Sequence, residues 1–229
     1  MIDKKWHEKA EEKWDQFSGN WGERSEKMWK EGSRKKVIPF FQSFVPEKSS
    51  VLDIGCGDGE GSEMLHNKGY DVTGVDLSSK MIEMAKQRRE GIQFLQADLA
   101  ALPFDEAEFD GVMVINCLEW VASPLQGIEE IKRVVKPGGV MIAGILGPVA
   151  GPRTNSYPRL EGEEVVCNTM MPWEFERLAQ NHGWIVEGRS SVPKEGAPED
   201  LANPMFEQAV SFMTLFALRK KDGSAPERE

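Results

Sequence analysis

From residue 51 onward, short apolar runs alternate with segments whose apolar residues recur every three or four positions. The runs at 51–54, 71–75, 92–96, 109–115, 140–146, 184–192 and 209–218 have the length and composition of buried strands. Between them, 60–68, 79–89, 124–135 and 173–181 read as helices. In 124–135, Leu125, Ile128, Ile131, Val134 and Val135 mark one buried side. Lys136-Pro137-Gly138-Gly139 reads as a turn, since proline stops a helix and glycines reverse the chain. Strands and helices in this order predict an α/β fold, a parallel doubly wound sheet with helices on both faces.

The first 48 residues have a different texture. Trp6, Ala10, Trp14 and Phe17 fall on one stripe of a helix, which Ser18-Gly19-Asn20 interrupts. Ser33 can cap a further helix carrying Val37, Ile38, Phe40, Phe41 and Phe44, with a kink at Pro39 and a stop near Pro46. Two readings stand side by side: a helix pair packed on the domain edge, or a lid in which Trp21 to Trp29 covers a small-molecule site. Glycines and prolines in 147–171 make a compact helix improbable, so that stretch is expected to be a loop or small insertion, as is 193–204. The division expected is therefore a helical extension or lid over 1–48, a main domain over 49–221 with its insertion at about 147–171, and a disordered charged tail over 222–229.

Composition removes several function classes. The 229 residues carry a formal net charge of −10, with no basic stripe to offset it, so a nucleic-acid backbone is not expected as partner. No apolar run is long enough for a membrane span, and the N-terminus lacks the apolar core of a secretion signal. Three scattered cysteines without a C-x-x-C pair suit a reducing cytoplasm and argue against a structural zinc site.

The candidate chemistry begins where the first strand runs into Gly55-Cys56-Gly57-Asp58-Gly59 and then a helix. Glycines let the backbone turn sharply and approach a ligand, and the helix N-terminus favours an anionic group. A dinucleotide fingerprint wants its third glycine at position 60, which is Glu60. Asp76 ends the second strand, at the sheet edge where such folds bind ligands, and can accept both hydroxyls of a ribose. Asp98 follows the third strand and can accept from an adenine amine.

With VLDIGCGDG, GVDLS, QADLAALPF, FDGVMVINCLEW, RVVKPGG and MPWEFERLAQNHGW in this order, the chain resembles the class I S-adenosylmethionine-dependent methyltransferases. It is similar to their type 11 group, which includes the menaquinone-biosynthesis enzymes. The resemblance runs from about residue 50 to 185. It implies a Rossmann-like, mostly parallel seven-stranded sheet with an antiparallel last strand. It also implies S-adenosylmethionine as cofactor, S-adenosylhomocysteine as product, and no metal. Gly55, Cys56 and Gly57 would run beside the methionine part, with Gly59 completing the turn and Asp53 holding the loop or reaching the amino group. Asp76 would take the ribose, Leu77 and Met81 would flank the adenine, and Ala97, Asp98 and Leu99 would form its far edge. Asn116 and Cys117 would line the methyl-donating end.

The family often has a histidine where this chain has Trp120, in Leu118-Glu119-Trp120. That removes a possible base and leaves Glu119 as the catalytic candidate, against an equally good reading as a solvent-facing glutamate. A sulfonium is already an activated leaving group, so in-line displacement needs alignment more than acid–base help. The expected acceptor is a small molecule, with Trp21, Trp120, Arg153, Tyr157 and Arg159 as candidate pocket residues and a monomer or homodimer as the assembly. Two other functions compete: a cofactor-binding regulator or scaffold without methyl transfer, and a nicotinamide-dependent oxidoreductase.

Overall fold

The computed structural model describes residues 4–197 and 203–221; the tail from 222 and part of the loop before 204 lie outside the described residues. Seven strands form one sheet: β1 (Ser50–Ile54), β2 (Asp71–Asp76), β3 (Gln93–Gln96), β4 (Phe109–Ile115), β5 (Val135–Leu146), β6 (Trp184–Pro193) and β7 (Ser211–Lys220). Their order is β3-β2-β1-β4-β5-β7-β6. The first five pair in parallel, and β7 runs antiparallel between β5 and β6.

Successive side chains of the central strands enter opposite faces, and both faces are buried. Leu52, Ile54, Val112 and Val114 join Ile128 and Ile131 of α6 (Pro124–Val134) and Phe175 of α7 (Pro172–Asn181). Val51, Met113, Ile142 and Leu215 meet Val37, Ile38 and Phe41 of α3 (Val37–Gln42) on the other face, together with Trp29. The remaining helices are α1 (Lys4–Phe17), α2 (Trp21–Lys30), α4 (Glu60–His66), α5 (Ser79–Arg88) and α8 (Pro204–Ala209).

Local departures from the sequence expectation have visible causes. Ser33 caps no helix: α3 begins at Val37, which puts Pro39 in its first turn, where a missing N–H costs nothing. The 136–139 segment is not a turn between elements but a bulge within β5, because Phe109 pairs with Val135 and Gly111 with Val140. Residues 151–161, expected as a loop, form a 3₁₀ helix, whose i→i+3 bonds tolerate the spacing of Pro152 and Pro158. The strand expected from 209 starts at Ser211, after the short α8 that Asn203 caps through Met205 N.

Candidate functional site

The strand order reverses between β1 and β4, and a cleft opens there at the carboxyl ends of the strands. Gly55 and Gly57 have φ values of +72° and +57°, a conformation that a side chain disfavours. A Cβ at Gly55 would also stand 2.9 Å from Cys117 Cβ. Asp76 braces this turn, accepting from Gly57 N with one carboxylate oxygen and from Ser78 N with the other, both at 2.9 Å. Burial raises its pKa, against the two backbone donors that hold its charge. At the neighbouring strand end, Asp98 accepts from Ala100 N at 2.8 Å.

A cleft enclosing about 750 Å³, open solvent included, runs along these strand ends. Of the expected cofactor residues, Gly55, Gly57, Asp76, Leu77, Met81, Ala97, Asp98, Leu99, Asn116 and Cys117 line it. Asp53, Cys56 and Gly59 do not. Asp53 is buried behind the turn and accepts from Ser62 Oγ at 2.6 Å, tying the first turn of α4 to β1; burial pushes its pKa up to about 7. Cys56 packs with Ile82, Ala85 and Phe94, while a Cβ on Gly59 would meet Phe94 at 2.8 Å. Burial pushes the thiols of Cys56 and Cys117 well above their ordinary value, so neither presents a thiolate.

Helix α1 roofs the cavity with Ala10 and Trp14. Glu11 accepts from Gln96 Nε2 at 2.8 Å and Asp15 from Ser78 Oγ at 2.5 Å, and His7 Nδ1 pairs with Asp98. Trp6 Nε1 donates to Trp120 O at 2.8 Å, and the Trp14 ring meets those of Trp21 and Trp120 edge-on at 5.7 and 5.1 Å. None of these partners of α1 was legible as such in the sequence.

A second cleft, enclosing about 960 Å³ with open solvent included, adjoins the first and shares Trp14, Trp21, Arg34, Asn116 and Trp120 with it. Of the pocket candidates, Trp21 and Trp120 line both clefts and the other three line neither. Arg153 spends its guanidinium on the carbonyls of Leu146, Gly147, Thr169 and Met170, clamping the insertion to the end of β5. Tyr157 is exposed and accompanies Glu161, and Arg159 bonds Ser156 O on its own 3₁₀ helix. Arg34 was missed; it stands in a polar stretch without a motif, and only the fold puts it between two clefts.

Glu119 is not solvent-facing. It is fully buried, accepts from Leu146 N at 2.5 Å, and leaves its other oxygen without a partner. Burial raises its pKa to about 7 against the pull of Leu146 N. It does not line either cleft, but Asn116, which does, is its neighbour and sits at φ +52°, a strained position for a side-chain-bearing residue.

The site fits an adenosyl group with an amino-acid tail: carboxylates stand at successive strand ends, and the glycine turn leaves a cradle a Cβ would fill. Trp21 Nε1 is buried without a partner, 3.3 Å from where a Cβ on Gly57 would sit. Glu60, where a dinucleotide fold has glycine, is ion-paired with Arg89 at 2.5 Å. Among the described residues no cluster of three or more His, Cys, Asp or Glu is placed to hold a metal ion, and no helix is long and apolar enough to cross a membrane.

Comparison with known proteins agrees. Residues 52–143 match the family described as a methyltransferase domain. The demethylmenaquinone methyltransferase of Renibacterium salmoninarum is 38% identical over 47% of this chain and 46% of its own length. The malonyl-[acyl-carrier protein] O-methyltransferase of Salmonella typhimurium is 38% identical over 55% of this chain and 50% of its own. The chain thus spans about half the length of the curated relatives it matches. A structure of the complex between the Haloferax volcanii Trm112 methyltransferase activator and a methyltransferase superposes with a TM-score of 0.69, covering 92% of this chain and 98% of that one at 22% identity, and so shares the fold. Motif order, cleft and family match converge: residues 52–143 match a methyltransferase domain, and the sheet that carries them has the fold of solved methyltransferase structures.

Proposed function

We propose that the protein transfers a methyl group from S-adenosylmethionine to a small-molecule acceptor by in-line displacement, with placement supplying most of the acceleration. The observation that carries this reading is the common wall of the two clefts, built from Trp14, Trp21, Arg34, Asn116 and Trp120. A donor in the first and an acceptor in the second would meet across Asn116.

When bound, the cofactor supplies a methyl group on a positively charged sulfur, already activated for transfer. Asp76 would hold the ribose hydroxyls, and Asp98 the adenine amine between Leu77, Met81 and Leu99. Backbone groups of Gly55 and Gly57, with the unpaired Trp21 Nε1, would receive the amino-acid tail, and Cys117 would flank the reacting end. The indoles of Trp14 and Trp120 exclude water there. Alignment of this kind supplies roughly 7–11 kcal/mol. Glu119 lines neither cleft and would act through Asn116 and β5.

The relatives' names carry different acceptors, demethylmenaquinone and malonyl-[acyl-carrier protein], and so do not choose one here. A net charge of −10 supports a partner other than nucleic acid. The free Cys56, Cys117 and Cys167 support a reducing cytoplasm, with the chain acting as a monomer or homodimer.

Methyl-labelled S-adenosylmethionine incubated with the protein and a panel of small-molecule acceptors tests the reading. Label in a small-molecule product supports it. Tight S-adenosylhomocysteine binding with no labelled product from any acceptor would favour the regulatory alternative.

His7 competes with an adenine amine for the Asp98 oxygen it pairs with. His7→Ala is expected to tighten S-adenosylhomocysteine binding by about twofold to fivefold, the strength of a part-exposed ion pair. Calorimetric titration measures it, and weaker binding in the variant would mean that His7 supports the ligand instead.

A further inference from the structure

Glu119 is a fully buried carboxyl with no counter-ion. It sits on the 3₁₀ turn Leu118–Trp120, between Asn116 and Cys117 on one side and Trp120 on the other, and those three residues line the cofactor cleft. Its own side chain lines neither cleft: one oxygen accepts from Leu146 N and the other has no hydrogen-bond partner. Among the described residues no cation is ion-paired with it. Arg153 attracts it from the insertion, but that guanidinium is spent on the carbonyls of Leu146, Gly147, Thr169 and Met170.

The charge of Glu119 acts on Arg34 between the clefts, on Cys167 in the insertion and on Cys117. At the Cys117 thiol, burial and then the charges of Asp76 and Glu119 act in the same direction. The field of Glu119 therefore reaches the part of the cleft that flanks the reacting end of a cofactor. A carboxyl stripped of water and given no positive partner holds its proton, and burial raises the pKa of this one to about 7. A cation arriving beside Asn116 and Cys117 would supply what the fold withholds.

Building on the methyltransferase reading, we infer that Glu119 is a discriminating residue, whose carboxylate favours the sulfonium of S-adenosylmethionine over the uncharged sulfur of S-adenosylhomocysteine. The attraction acts through protein, where charges are screened less than in water. Transfer of the methyl group removes the charge from sulfur and the attraction with it. The same attraction opposes the transfer step, because the transition state has already lost part of that charge. Its effect thus lies in the exchange of product for cofactor, not in the chemistry.

Calorimetric titration of the full chain with each of the two ligands, from about pH 5.5 to about pH 8, gives the ratio of their dissociation constants. Ionised Glu119 favours the sulfonium alone, so the preference for S-adenosylmethionine is expected to grow by about threefold to tenfold as pH rises across that range. Asp53, whose pKa burial also raises to about 7, stands behind the glycine turn, and Asp76 and Asp98 face the same cleft. Glu119→Gln keeps all three, and keeps the ionisable groups of the ligands, so comparison with the parent isolates Glu119. The variant is expected to lose that growth while binding S-adenosylhomocysteine within about twofold of the parent at about pH 5.5, where an amide resembles the protonated acid. Glu119→Met, which has no titrating group, carries the test if the glutamine variant does not fold.

A preference that does not change with pH in the parent, or that grows equally in parent and variant, would overturn the inference. A parent protein that binds neither ligand would remove the methyltransferase reading, and this inference with it.

Discussion

Asp76→Ala is expected to weaken S-adenosylhomocysteine binding by about 10²–10⁴-fold. Two charge-assisted hydrogen bonds to the ribose are each worth about 1.5–3 kcal/mol, and each 1.4 kcal/mol is about tenfold. The same substitution also releases Gly57 N and Ser78 N, which Asp76 holds at 2.9 Å, so the glycine turn loses its brace. Asp76→Asn separates the two effects, because an amide oxygen can still accept from one backbone N–H while the charge is gone. Calorimetric titration of both variants, with melting curves to establish folding, checks the prediction. An alanine variant that folds and binds within about threefold of the parent would remove Asp76 from the cofactor site.

The second large effect is on stability. Glu119 and Asp53 both titrate near pH 7 in the folded chain, against ordinary values of 4.5 and 3.8, because burial disfavours their charged forms. Between those values the folded protein keeps protons that the unfolded chain has released. Stability therefore falls as pH rises from the ordinary values towards 7, and the loss is complete above the folded values. For Glu119 the loss is on the order of 3 kcal/mol. Glu119→Gln removes that part of the slope and leaves Asp53's. The amide also places a donor where one carboxylate oxygen has no partner, a cost of about 1–3 kcal/mol that does not vary with pH. The slope is thus the informative quantity. Denaturant unfolding from about pH 5 to pH 8 should show the variant gaining on the parent as pH rises; parallel curves would mean that Glu119 is ionised throughout.

These two residues differ in how far the sequence exposed them. Asp76 was readable because it ends a strand one β-α-β step after a glycine turn, and local pattern alone fixes that position at the ligand edge. Asp98 was readable for the same reason. Glu119 was not: a glutamate next to a strand end is equally at home in solvent, and its burial follows from β5 and the insertion closing over it, with Asn168 bonding Leu118 O and Val121 O. Arg153 looked like a pocket group because a cation in a Gly- and Pro-rich insertion suggests a ligand. Its carbonyl partners at 146–147 and 169–170 come together only when that insertion folds back. The 3₁₀ helix escaped because hydrophobic periodicity is tuned to 3.6 or 2 residues, not 3. Arg34 escaped because it lies in the turn between α2 and α3 and its neighbours in sequence form no motif; its place depends on Trp21 and Trp29 folding alongside it.

Thermal unfolding of the intact chain with S-adenosylhomocysteine and, in parallel, with NAD tests the central claim most directly. A ligand at about a hundred times its dissociation constant stabilises by about 2.7 kcal/mol, which for a chain of this size raises the midpoint by roughly 5–10 °C. The account predicts that shift with S-adenosylhomocysteine and none with NAD. A shift with NAD alone, or none with S-adenosylhomocysteine at saturating concentration, would contradict it.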